Sequence, residues 1–416
     1  MSAAFESFLS SPAMLQAWGE HEVVSAMLSF EAALARAQAD AGLIPESAAQ
    51  SIIGTCKVEL FDVARIVRES ARAGSLAIPL VKSLKETVAM FNPQAVQYVH
   101  LGSTSQDVID TAMALITRSA LDLIHADLTV CIEALLGRAE RHAADPVLAR
   151  TLMQPASVTS FGLKCMGWAI PLLRSRERLR RSAEQGLCVQ LGGAVGTLAQ
   201  MQGKGPEVLM RMATDLGLTC PQASWHTQRD QWVSLGCEIA VLVGNLGKIA
   251  RDVSLMGQFE ISELAEPAEA GRGGSSAMPH KRNPVACMVS LAAAQRAPQR
   301  AAALLAAMVQ EHERALGGWQ AELAEWSGLL ISAHGAVHAM AQALVGLQVD
   351  TDRMHANIDS LRSVLPQSAA DEWFDPGLAQ GAAATVHAQL KFWRAWQSDA
   401  KNRRDPGDEQ NERIVR

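Results

Sequence analysis

Between Trp232 and Met256 apolar residues return at Trp232, Leu235, Ile239, Leu242, Leu246, Ile249, Val253 and Met256, separated by 3, 4, 3, 4, 3, 4 and 3 residues. A seam with that period predicts a helix of roughly 35 Å or more at 1.5 Å per residue, packed at a shallow angle against long partners. Gly236, Gly244 and Gly247 would admit close neighbours. Val241, Val243 and Leu255 lie off the seam, more apolar surface than one bundle face needs, which is a motive for burial by other subunits. Helical spacing also runs from Glu20 to Gln50 with a turn at Gly42 to Pro45, and from about Ser47 to Ala73 with a stop near Gly74. It resumes from the polar run at Ser103 to about Ala143, from Pro284 to Ala315, and from Trp319 to Val345 after a break at Gly317 and Gly318. Past Leu365 the pattern weakens at Pro366, Pro376 and Gly377. The predicted fold class is all-α with a long-helix bundle at its centre. The expected division is a helical region over 1–102, the central bundle over 103–346, a short helical region over 347–400 and a charged, disordered tail over 401–416.

Composition agrees with helix. Hydrophobic residues make up 49% and charged residues 19%, and Tyr98 is the single tyrosine. A net charge of −6 offers no basic field for nucleic acid, so affinity for anions must come from local arrangement. The start, MSAAFESFLSSPAML, lacks a signal peptide's basic and apolar regions, and no stretch reads as long and apolar enough to span a bilayer without polar interruption. Seven scattered cysteines with no CxxC and no zinc spacing point to neither disulfides nor metal. A reducing cytoplasm is the expected compartment.

The chemistry concentrates in Gly271 to Pro284, GRGGSSAMPHKRNP, where three glycines precede two hydroxyls, a histidine and two cations. Glycines let such a loop open and close over a ligand. Asn283 followed by Pro284 reads as an N-cap and first turn, which would end the loop on an anion-favouring helix N-terminus. The competing reading is a Gly-rich connector with solvated charges. In QLGGAVGT, Gly192, Gly193 and Gly196 read as a close-packing turn, since a dinucleotide fingerprint has different spacing. Ser103 to Asp107 could be a capping cluster and Gln154 a turn amide.

The string with Ser275, Ser276, Met278, Pro279, Lys281 and Asn283 resembles the signature loop of the fumarase/aspartase superfamily. Two further segments match that superfamily in order: GSTSQDVIDTA, with Thr104 and Ser105, and RTLMQPA, with Thr151 and Gln154. Within it, AIPLVK, TSQDVIDTA, WHTQRD, GKIARDVSLM, GGSSAMPHKRNPV and QEHERALGGW are similar to the cycloisomerase branch, over roughly residues 15–363. The resemblance implies a small tricarboxylate closed to a lactone in aromatic-compound breakdown, with no cofactor or metal and no nucleic-acid or membrane partner. It implies a homotetramer with sites shared between subunits. Ser275 is the expected proton-transfer residue, and Lys281 and Asn283 the expected stabilisers of an aci-carboxylate-like intermediate. Ser103, Thr104, Ser105, Thr151 and Gln154 are expected to hold the remaining carboxylates, joined by His226 and Arg314, although WHTQRD and QEHERALGGW also read as surface polar groups. Family members carry a fuller C-terminal region than 363–395 supplies.

One departure bears on the reaction. The superfamily's lyases read T-H-x-Q where this chain has Leu152. A departing amine or hydroxide needs an acid, whereas a carboxylate is already ionised at neutral pH. His100 or His226 could stand in for the missing histidine. Two other functions stay open: an adenylosuccinate lyase-like C–N or C–O lyase, and a catalytically silent structural or binding protein on the same fold.

Overall fold

A computed structural model of the chain describes residues 3–269, 271–274, 278 and 280–402. The described residues fall into two compact units, each assembled from stretches distant in sequence. The first takes Met1–Ala126, Ser175–Gly244 and Val289–His338, and the second Asp127–Arg174, Asn245–Met288 and Ala339–Arg416. Helices dominate both. The strands form two small antiparallel pairs, β1 (Pro146–Thr151) with β2 (Gln154–Ser160), and β3 (Leu264–Ala265) with β4 (Gln348–Val349).

The seam helix runs Asp230–Met256, about 40 Å at 1.5 Å per residue. All eight seam residues are buried within one chain, none above 4% exposed, as is the off-seam Val243. The seam therefore supplies no motive for a partner subunit, and of the off-seam residues Val241 is left well exposed at 47%. Trp232 stacks on Trp326 at 3.8 Å between ring centroids. Gly236 is what admits this pairing, since a Cβ there would meet Trp326 at 3.0 Å and Leu304 at 2.7 Å. The Asp230–Met256 and Gly318–Val345 helices are, against expectation, long and apolar enough to cross a membrane by length and composition. Their apolar windows are 56% and 83% buried in the fold, as core helices are.

Helix boundaries shift where capping chemistry overrides periodicity. The single helix expected over 47–73 is two, Glu46–Thr55 and Val63–Ala73, with a 3₁₀ turn between them. The Asp62 carboxylate accepts from Arg65 N–H and starts the second, which ends at Gly74 with φ 71°. The helix expected to reach Ala315 stops at Ala306, and that expected from Ser103 runs Ser105–Arg141.

In the second unit, the RTLMQPA segment lies in the β1–β2 hairpin. Leu148 and Val158 from the hairpin pack with Ile358, Phe374 and Ala379 from the C-terminal helices, which fixes the hairpin's base. Those helices are Thr351–Arg362, Gln367–Trp373 and Leu378–Asn402, the last being longer than the interrupted pattern foretold. The tail expected to be disordered lies, from 403 onward, outside the described residues.

Candidate active site

In the first unit the Ser105–Arg141 helix opens on the GSTSQDVIDTA segment, and its first two turns bury two carboxylates, Asp107 and Asp110. Asp107 accepts four hydrogen bonds. They come from the backbone N–H groups of Thr104 at 3.0 Å, Gly192 at 2.9 Å and Gly193 at 3.0 Å, and from His226 Nε2 at 2.7 Å. The glycine turn thus does more than pack: it donates two N–H groups to a buried anion, and a Cβ on Gly192 would strike Ser224 Oγ at 2.4 Å. His226 is buried, and its Nδ1 pairs with Ser224 Oγ at 3.0 Å, so both ring nitrogens are engaged.

Asp110 anchors a second network. Arg229, fully buried, reaches Asp110 with both terminal nitrogens and Glu322 with Nε and Nη2, and its guanidinium lies 4.4 Å from the Trp225 ring centroid. Trp319 Nε1 donates to Asp110 at 2.9 Å. Burial works against the Arg229 charge, and the two carboxylates more than offset it. Burial pushes Glu322 above the usual carboxylate range, with Arg229 pulling the other way. Trp225, His226 and Arg229 of WHTQRD are therefore core rather than surface, the histidine and arginine satisfied by acids from other elements.

Gln106 joins these networks to the site. Its amide nitrogen donates to Asp110 and to the His226 carbonyl, and its oxygen accepts from Arg314 Nη1 at 3.1 Å. Arg314 Nη2 donates to Thr104 Oγ1, while Nε is buried with no partner among the described residues. Burial lowers the Arg314 pKa, opposed by Asp107 and Asp110. The arginine is thus a half-buried cation whose hydrogen bonds go to neutral oxygens, an arrangement that leaves charge for an anion. Thr227 Oγ1 fixes its loop by donating to the His312 carbonyl.

Ser103 Oγ lies 2.9 Å from His100 Nδ1, which also pairs with Glu31 at 2.6 Å. Ser105 makes no side-chain hydrogen bond among the described residues. The first unit thus gathers Ser103, Thr104, Ser105, His226 and Arg314.

Thr151, Gln154, Lys281 and Asn283 belong to the second unit. Thr151 and Gln154 are the last register pair of the hairpin, and Leu152 and Met153 make its turn with φ of 51° and 66°. All four tip residues are exposed, Leu152 at 97% and Met153 at 71%. The hairpin is braced below its tip by Arg150, bidentate to the buried Glu263 at 2.9 and 3.1 Å, with Asn357 donating to the same carboxylate.

In the signature loop Gly273 sits at φ 70° and its carbonyl accepts from Asn283 N–H at 2.8 Å; a Cβ there would lie 2.5 Å from the Asn283 carbonyl oxygen. A cleft of about 530 Å³ opens among residues that include Ser254, Glu266, Arg272, Lys281, Arg282 and Asn283. The helix after the loop starts at Val285, not at an Asn283 cap. In its first turn the N–H groups of Ala286 and Cys287 donate to the Glu266 carboxylate at 3.1 and 2.8 Å. That end already holds an anion from its own chain, so the expected free anion site is corrected to a capped terminus. Ser275, the expected proton-transfer residue, lies outside the described residues, as do Ser276 and Pro279.

Sequence reasoning gave no role to Asp110, Arg229, Glu322 and Glu266. A signal existed for the first: Asp107 and Asp110, three apart beside Val108, Ile109 and Ala112, share one helix face, and two acids buried on one face require buried donors.

A helical fold of this kind, with three polar segments spaced along it, is that of the lyases. A family model described as Lyase matches residues 7–298, and the chain belongs to that family, the fumarase/aspartase superfamily. It is 46% identical to the 3-carboxy-cis,cis-muconate cycloisomerase of Bradyrhizobium diazoefficiens, over 89% of this chain and 82% of that protein. It is 43% identical to the nitrosuccinate lyase of Streptomyces davaonensis, over 81% of this chain and 72% of that one. The solved 3-carboxy-cis,cis-muconate lactonizing enzyme of Pseudomonas putida superimposes with a TM-score of 0.85 at 35% identity, covering 93% of this chain and 98% of the other.

Proposed function

We propose that the chain closes 3-carboxy-cis,cis-muconate to a carboxymuconolactone in aromatic-compound catabolism. The observation that carries this reading is the 46% identity, over 89% of the chain, to a protein that bears that name. In the reaction one substrate carboxylate oxygen bonds to an alkene carbon. The π electrons move to the carbon alpha to a second carboxylate, which becomes an aci-carboxylate dianion, and a proton is delivered to that carbon. Atoms are conserved and no redox partner is required. Ser275 supplies the proton as a neutral hydroxyl and recovers it from solvent, a role that cationic neighbours favour. Lys281 and Asn283 donate to the carboxylate whose charge grows, where fixed donors lower the barrier most. Arg314 with Thr104, and Ser105, Thr151 and Gln154, hold the other carboxylates. Ser103 steadies His100, and His226 acts through Asp107 to fix the Thr104 backbone. The exposed, apolar Leu152–Met153 tip supports assembly into a homotetramer in which one subunit's tip is covered by another.

The hairpin tip Thr151–Gln154 offers no titratable acid, which supports a reaction with no poor leaving group. A lyase that expels a weakly basic anion such as nitrite would need no such acid either. The 43% identity to a nitrosuccinate lyase therefore favours that activity as the second reading. The purified protein assayed on 3-carboxy-cis,cis-muconate, nitrosuccinate, adenylosuccinate, argininosuccinate and fumarate decides between them. Lactone formation is expected. Cleavage of any of the others without carboxymuconate turnover makes the cycloisomerase assignment wrong.

A further inference from the structure

Beside the GSTSQD segment, and within the first unit, a cleft of about 440 Å³ is lined by residues that include Lys82, Lys85, Glu86, His100, Ser105 and Ile78. Lys82 and Lys85 stand exposed, one turn apart on the Ala77–Phe91 helix, and neither is paired with a carboxylate among the described residues. His100 closes the cleft from the loop before the Ser105–Arg141 helix. Its Nδ1 is held by the buried Glu31 at 2.6 Å and by Ser103 at 2.9 Å, which leaves Nε2 unengaged among the described residues. The φ of 65° at His100 is a backbone state that a non-glycine residue adopts at a cost, and the two side-chain contacts hold it there. Three cationic or cation-forming groups and one free hydroxyl, that of Ser105, thus face a cleft with a single carboxylate, Glu86.

We propose that the cleft lined by Lys82, Lys85, His100 and Ser105 is a carboxylate subsite that takes the outlying carboxylate of a tricarboxylate ligand and so selects tricarboxylates over dicarboxylates. This deepens the reading above and rests on it for the identity of the substrate. Ser105 is the link, since it belongs both to the cleft and to the segment that carries Thr104. Burial alone would lower the His100 pKa. The Glu31 carboxylate outweighs it and raises the value, with Asp107 adding to the rise and Lys85 opposing it, so the surroundings favour the imidazolium relative to a free histidine. Glu31 Oε2 is buried with no partner among the described residues, so its charge is directed at the imidazole rather than neutralised elsewhere.

The test uses the full-length protein, with tricarballylate and glutarate as probes whose binding is read by titration calorimetry. That readout needs no turnover, so a failed carboxymuconate assay leaves it intact. The variant is Lys82→Ala with Lys85→Ala, both on an exposed helix face where alanine preserves the helix. The wild type should bind tricarballylate more tightly than glutarate. In the double variant tricarballylate affinity should fall roughly five- to tenfold, as the loss of two partly exposed charge contacts implies, with glutarate affinity unchanged. Unchanged tricarballylate affinity overturns the proposal, and so does an equal loss for both probes, which would mark a general field effect. The single variant His100→Asn, which suits the positive φ, should lower tricarballylate affinity without altering that for glutarate. Retained selectivity there removes His100 from the subsite.

Discussion

Replacing Asp107 by asparagine exchanges one carboxylate oxygen for NH2 and tests whether the site's hydroxyls are positioned by a buried anion. Oδ1 accepts from Gly192 N–H and His226, and Oδ2 from Thr104 and Gly193 N–H. An amide keeps one acceptor and turns the other into a donor. Placed at Oδ2, the new NH2 confronts two backbone donors that cannot become acceptors. Placed at Oδ1, it confronts Gly192 N–H and His226, and only the histidine can adapt, by accepting at Nε2 while Nδ1–H donates to Ser224. Even the better orientation strands one buried N–H, at about 1–3 kcal/mol, and strips charge assistance from the bonds that remain. We expect a loss of about 2–4 kcal/mol. At about 2–4 °C per kcal/mol for a unit of this size, the melting temperature should drop by roughly 5–15 °C. Trp225, Trp232, Trp319 and Trp326 all lie in the first unit, so tryptophan fluorescence during urea unfolding includes reporters where the change occurs. A midpoint shift worth less than about 0.5 kcal/mol would refute the clamp, because surface-like substitutions alone reach that size.

Ser275→Ala should lower turnover about 100-fold or more with the urea midpoint unchanged, and near-normal turnover would remove Ser275 from the mechanism. Arg314→Lys keeps the charge but cannot hold Gln106 and Thr104 together, so kcat/KM should fall about 10- to 100-fold; parity with the wild type would leave no role for the fork geometry. Because the His100 pKa is raised, its contribution to tricarballylate binding is full below the ordinary histidine value of about 6.5 and is lost as pH rises through the raised one. Glu31, Asp107, Lys85, Lys82 and Glu86 are the charged groups around it, and affinity that does not fall as pH rises above the ordinary histidine value of about 6.5 would contradict this assignment. Sedimentation should give a tetramer, and a stable, active monomer would rule out shared sites.

Periodicity made the long helices legible, because the burial that stabilises a helix of 27 residues also imposes its apolar spacing on the sequence. The Trp232–Met256 seam is read correctly as a helix whose eight seam residues the chain buries itself, whereas the off-seam Val241 stays exposed, and periodicity names no partner for it. The three polar segments were legible as residue types in order. What each side chain faces was decided only by tertiary structure. Asp107 could be a cap or a surface acid until Gly192, Gly193 and His226, more than eighty residues away in sequence, are brought to its oxygens. Arg229 reads as a surface cation until Asp110 and Glu322 close on it. Asn283 and Pro284 form a sound local start signal, yet the helix takes its cap from Glu266, because a carboxylate satisfies two N–H groups where the local amide offers one oxygen. Local sequence sets which backbone states are inexpensive. Only the packed chain determines which buried donor meets which acceptor, since the cost of leaving either alone is felt only once water has been excluded.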